Sequence, residues 1–169
     1  DMLSAVDEAA FQFKNGAAFT CGDRYDYFDF REKFSEGWGT TFQVQRDRFD
    51  QVLADEAQRQ GVEIVYGQTV TAYNSDAEKA TLTVESEEGE VYQVSGKFVL
   101  DASGFGRVLP RLLDLELPSH LATRTSAFTH IKDNITDGQY DRDKILITVH
   151  PEHHEIWYWL IPFSNGRSS

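Results

Sequence analysis

A chain of 169 residues with 28 acidic against 16 basic side chains has a net charge of −12, which repels phosphate backbones and anionic lipid and excludes nucleic acid and membrane surfaces as natural partners. Hydrophobic residues at 40% and aromatics at 13% supply a packed core and exclude wholesale disorder, in one domain or two incomplete ones. A single cysteine excludes an internal disulfide and fits a reducing cytoplasm; with five scattered histidines it closes no tetrahedral metal site, and no apolar run approaches the roughly 20 residues of a membrane span.

In chain order, residues 5–13 have the spacing of a short helix. Strand-like runs follow at 17–20 and 25–30, the second alternating aromatic and acidic residues as a half-exposed strand would. A Gly37-Trp38-Gly39 turn leads into Phe42-Gln43-Val44. Residues 47–60 form the strongest helix: Phe49, Val52, Leu53 and Ala57 share a face, Asp47 suits an N-cap and Gly61 a stop. The β-branched run at 62–67 follows directly, and helix, glycine, strand is half of a βαβ crossover, which implies a parallel sheet.

A meander of three strands comes next, at 69–73, 80–85 and 91–100, with turn chemistry at Asn74-Ser75-Asp76 and Glu87-Glu88-Gly89. The third ends in Phe98-Val99-Leu100, a run suited to burial on both faces. A loop over 101–107 and a short helix over 108–115 precede three further strands at 125–131, 145–149 and 155–162.

Three segments carry chemistry. In Ile156-Trp157-Tyr158-Trp159-Leu160-Ile161-Pro162-Phe163, a strand's two-residue repeat puts both indoles on one face, either as core or as a rigid apolar wall. In Asp101-Ala102-Ser103-Gly104-Phe105-Gly106-Arg107, small residues at a strand's carboxyl end let a phosphate or ribityl chain approach the backbone, although an ordinary turn reads the same way. At the mouth of the long helix, Val44-Gln45-Arg46-Asp47-Arg48-Phe49-Asp50 offers an arginine that either meets an anionic ligand or pairs with Asp47 or Asp50.

In their order along the chain the three segments resemble the flavin-dependent halogenases of the tryptophan halogenase type and their relatives in the FAD-dependent monooxygenase superfamily. The resemblance implies that Arg46, Asp101, Ser103 and Gly104 contact FAD, and that Trp157 and Trp159 line the substrate chamber. It also implies that Lys14, in Phe13-Lys14-Asn15-Gly16-Ala17-Ala18-Phe19, is catalytic: these halogenases use a lysine in a K-x-G-x-x-F segment to hold hypohalous acid, whereas composition alone reads a lysine before Asn-Gly as a solvated loop residue.

The implied activity is oxidation of halide, or hydroxylation of a small aromatic substrate, through a flavin C4a-hydroperoxide, with a flavin reductase supplying reduced FAD. The alternatives are an FAD-dependent reductase of the geranylgeranyl type, sharing the arginine helix and the loop, and a β-rich binding module without cofactor.

The expected fold is α/β of the α+β kind: a partial FAD-binding parallel-sheet element with a β-meander, and a mostly antiparallel substrate-binding sheet. The expected organisation is substrate-domain strands over 1–41, an FAD-facing part over 42–118, and the remainder of the substrate sheet over 119–169. Such families begin with a G-x-G-x-x-G Rossmann unit, which is not found here. The chain therefore reads as a central fragment, expected to bind FAD feebly by itself and to expose apolar surface.

Overall fold

The computed structural model describes residues 1–136, 138 and 140–169. They form two compact units, one of residues 1–62 with 125–169 and the other of residues 63–124. The chain is mixed α and β, mostly sheet with few helices.

In the first unit, α1 (Met2–Glu8) opens with Asp1, whose carboxylate accepts from the Leu3 amide at 3.1 Å. The helix ends earlier than the 5–13 spacing suggests: Ala10 adopts φ +51°, and the chain enters β1 (Gln12–Lys14), β2 (Gly16–Cys21) and β3 (Arg24–Asp29). After β4 (Thr41–Gln43) comes α2 (Arg46–Arg59), in the place its apolar periodicity requires and stopped by Gly61 at φ +94°. Extended Gln45, not Asp47, occupies the N-cap; Asp47 lies in the first turn, where its charge still suits the helix dipole. Val6, Ala9 and Phe11 pack with Phe42, Phe49, Val52 and Leu53 into one core, with the Phe11 and Phe49 rings edge to face at 5.9 Å.

C-terminal strands complete this unit: β8 (Ile131–Lys132), β9 (Lys144–Val149), β10 (Trp157–Leu160) and β11 (Arg167–Ser168). Of these, β9 and β10 join β2 and β3 in a four-stranded sheet in the order β10-β9-β2-β3, antiparallel except for the parallel β2–β9 pair, while β8 and β11 pair separately. Of the strand expected at 125–131, only its last residue joins a ladder, β8 against β11. A second core of Ala17, Ile145 and Ile147 sits on this sheet with Phe19 and Ile161 against it.

In the second unit, β5, β6 and β7 (Gln68–Ser75, Ala80–Ser86, Val91–Gly96) make the expected antiparallel meander, with a bulge between Val70 and Ala72. The flanking apolar runs differ from expectation. Residues 62–67 form no strand, and β7 stops at Gly96. A strand exists only through a partner, and among the described residues neither run has one, so Tyr66, Phe98 and Leu100 stand 65%, 78% and 85% exposed. The only parallel pairing among the described residues is therefore β2 with β9.

Gly16 carries a tight constraint. A Cβ there would collide with the Phe28 carbonyl oxygen and come within 3.1 Å of Lys144 Cε. Because one obstacle is backbone, Gly16→Ala should lower unfolding free energy by about 1–3 kcal/mol or more. Urea unfolding of the variant checks this, and an unchanged midpoint contradicts it.

Candidate active site

Residues facing each other across paired strands project to the same side of a sheet. Asp26, Phe19, Ile147 and Trp159 form one such row across the four-stranded sheet, and Arg24, Cys21, Val149 and Trp157 form the next. Phe28, Ala17 and Ile145 form the row on the other side of the Phe19 row. One face thus carries both indoles together with Phe19 and Phe28, while Ala18, Tyr27, Leu146, Tyr158 and Leu160 take the opposite face.

Trp157 and Trp159 are 55% and 51% exposed, and Tyr158 on the opposite face is 57% exposed. Trp157 is fixed in plane, its indole N–H donating to the His154 carbonyl at 2.7 Å. Along β10, Trp157, Tyr158, Trp159 and Leu160 from both faces line a cleft of about 730 Å³ with Phe128 and Ile131. That volume lies within the range of small-ligand sites.

Lys14, on β1 beside β4, reaches the β3 edge of this sheet, opposite the β10 edge that carries the indoles. Its ammonium lies 5.6 Å over the Phe30 ring; Phe30 is 5.5 Å from Phe28, which stacks on Phe19 at 5.8 Å. An aromatic row therefore runs from Lys14 onto the sheet. Partial burial pushes the Lys14 amine below its usual pKa, so the neutral, nucleophilic form is reached at lower pH than for a solvated lysine. The K-x-G-x-x-F spacing now has a physical content: Gly16 lets β2 lie flush on β3, and Phe19 stacks in the row that begins at Lys14.

Arg46 is bidentate to Asp50, Nε and Nη2 each at 3.0 Å, on the exposed first turn of α2. This is the pairing the helix spacing allowed. An exposed pair of this kind is worth little, so the guanidinium is available to a stronger anion.

In the second unit, the Asp101–Arg107 loop is braced from within. Asp101 accepts from the Ser103 amide through Oδ1 and the Leu109 amide through Oδ2, and Ser103 Oγ accepts from the Val108 amide. Asp101 is held below the usual carboxylate range by its hydrogen bonds from Ser103 and Leu109. These two side chains shape the loop, which leaves Phe105 fully exposed and pairs Arg107 with Glu116. Gly104 sits at φ +55° with nothing within 4 Å of where a Cβ would stand, an opening that fits close approach of a phosphate or ribityl group.

Sequence reasoning missed three buried polar residues around the lysine and tryptophan segments: Asn15, Gln43 and Lys144. Lys144 was detectable as a charge opening the apolar run Ile145-Leu146-Ile147; Asn15 and Gln43 carry no periodic signal. Behind the cleft, Asp133 accepts from the Ile135 amide, from Arg142 Nη1 at 2.9 Å and from Ser168 Oγ at 3.0 Å, tying the β8 and β11 ends together.

Burial pushes the Asp133 acid up, but these donors outweigh it and hold the carboxyl below its usual value. A depressed acid stabilises the fold fully above its unfolded pKa of about 4 and loses that contribution as pH falls through the folded value. The thermal midpoint should therefore fall on acidification below about pH 4. Asp133→Asn should lower the midpoint at pH 7 and flatten that acid limb; an acid limb as steep as the parent's contradicts the assignment.

The tryptophan halogenase family profile matches residues 9–168. A tryptophan 2-halogenase from Chondromyces crocatus is 32% identical over 102 residues, which are 59% of this chain and 19% of that protein. Among solved structures, a flavoprotein/dehydrogenase from Cytophaga hutchinsonii superposes with a TM-score of 0.88 at 40% identity, over 99% of this chain and 40% of that one. The myxobacterial chondrochloren halogenase, described as a variant of FAD-dependent halogenases, gives 0.63 at 23% identity, covering 99% of this chain and 39% of its own. A geranylgeranyl bacteriochlorophyll reductase-like protein from Thermoplasma acidophilum gives 0.65 at 18%, covering 99% and 43%. The last two likenesses show the fold alone. This chain spans about a fifth of the length of the curated relative and about two fifths of these structures.

Proposed function

The chain belongs to the tryptophan halogenase family, and from that premise we propose that it forms the substrate-facing part of an FAD-dependent halogenase acting on a small aromatic compound. The observation that carries this reading is the half-open indole pair on the same sheet face as the aromatic row from Lys14. The reductase alternative has less need of such a wall, and a binding module has no need of a lysine at its end.

Toward the cofactor, this reading assigns Arg46 and the loop of Asp101, Ser103 and Gly104, with the loop's amides as donors. When bound, FAD reduced by a partner reductase supplies, with oxygen, the oxidising equivalents that convert halide to hypohalous acid. The protein's own part is positioning and exclusion. Trp157 and Trp159 offer a flat apolar surface to an aromatic ring and keep water from competing with it. Lys14 donates a hydrogen bond to the oxygen of hypohalous acid. As an aromatic carbon takes the halogen, the halogen–oxygen bond breaks and its electron pair stays on oxygen. The Lys14 proton moves to that oxygen, so water leaves, and the ring proton is then lost to restore aromaticity.

In the intact protein with FAD, a flavin reductase, oxygen and bromide, phenols or pyrroles should gain bromine, read by mass spectrometry. Lys14→Ala should lower that rate by about 10²–10⁴-fold with FAD binding retained. Full halogenation by the variant removes Lys14 from the mechanism. Hydroxylated product alone, or a protein that takes up no flavin, removes the halogenase reading.

A further inference from the structure

Residues 141–144, Asp-Arg-Asp-Lys, lie just before and at the start of β9 and reach in two directions. Toward the lysine segment, Lys144 Nζ donates to Asn15 Oδ1 at 2.8 Å and to Asp141 Oδ2 at 2.6 Å, and lies 5.3 Å over the Tyr27 ring. The Asn15 amide donates to the Asp143 carbonyl at 2.9 Å, and Gln12 Nε2 donates to Asp143 Oδ1 at 2.9 Å. Asn15 also accepts from the amide of Phe30, the residue whose ring underlies Lys14, at 2.7 Å.

Toward the tryptophan segment, Arg142 Nη2 donates to the Phe163 carbonyl at 2.8 Å. Gln43 Nε2 donates to the Arg142 carbonyl at 3.1 Å and to the Pro162 carbonyl at 2.8 Å. Pro162 and Phe163 close the strand that bears Trp157 and Trp159.

Lys144 and Asn15 are 5% and 6% exposed. A buried ammonium is costly unless paired, and a leucine there would continue the apolar strand without that cost. What the ammonium supplies is direction: it holds Asn15, and Asn15 is the chain neighbour of Lys14. Four consecutive residues thus relate the two segments on which the reading above depends.

We infer that Asp141–Lys144 is a positioning strap, with Lys144 through Asn15 setting the place of Lys14 and Arg142 with Gln43 setting the end of the tryptophan strand. This rests on the proposed role of Lys14 for its catalytic meaning, though its geometric content stands separately.

The test uses Lys144→Met in the intact protein, with two readouts. The first is competitive acetylation read by mass spectrometry, with the rate at Lys14 taken relative to exposed Lys97. Loss of the strap should raise that ratio at least threefold, because Lys14 leaves its place over Phe30. The second is product halogenated per reduced flavin consumed, which should fall at least fivefold while FAD binding is unchanged and hypohalous acid escapes to an added scavenger.

An unchanged acetylation ratio in a folded variant overturns the strap. A raised ratio in a protein whose parent halogenates nothing supports the strap and sinks the catalytic reading instead. Should Lys144→Met fail to fold, Asp141→Asn, which alters the half-exposed partner, takes its place: a raised ratio supports the strap and an unchanged one overturns it.

Discussion

The parallel pairing of β2 with β9 is the constraint on which the first unit depends. It sets Gly16 beside Lys144 and Phe19 beside Ile147, so the chain's two ends meet in one sheet. Without it the lysine segment and the paired tryptophans would belong to separate hairpins, each too small to be stable alone. Pairing across so long a stretch of chain is slow to form and closes a large loop before any contact rewards it. Burial of Ala17, Ile145 and Ile147 directly at the seam offsets that cost.

Once the seam is closed, strand alternation does the sorting. Side chains of one parity from four strands converge on a single face, and that face carries Trp157, Trp159, Phe19 and Phe28. The anchoring of the half-exposed Trp157 indole by the His154 carbonyl shows that the openness is ordered.

Much of this was legible in residues. The apolar spacing of Phe49, Val52 and Leu53 located α2; turn residues located the meander; and the two-residue repeat placed both indoles on one face. Periodicity failed where a strand's partner is not among the described residues: the runs at 62–67 and 97–100 have strand composition yet form no ladder. At Asp101 and Ser103 periodicity is silent: their polar atoms brace their own loop, because short polar side chains bond to nearby backbone by local geometry. Asn15 and Gln43 carried no signal because their side-chain partners, Lys144 for one and the Arg142 and Pro162 carbonyls for the other, are remote in sequence.

The central claim is that the tryptophan face, and not the tyrosine face behind it, receives the aromatic substrate with Lys14 at its edge. A crystal structure of the intact protein with FAD and an unreactive aromatic substrate analogue tests this most directly. The expected result is the analogue's ring lying against Trp157 and Trp159, with Lys14 Nζ directed toward the carbon to be halogenated. An analogue seated on Tyr27 and Tyr158, or away from this sheet altogether, would contradict it.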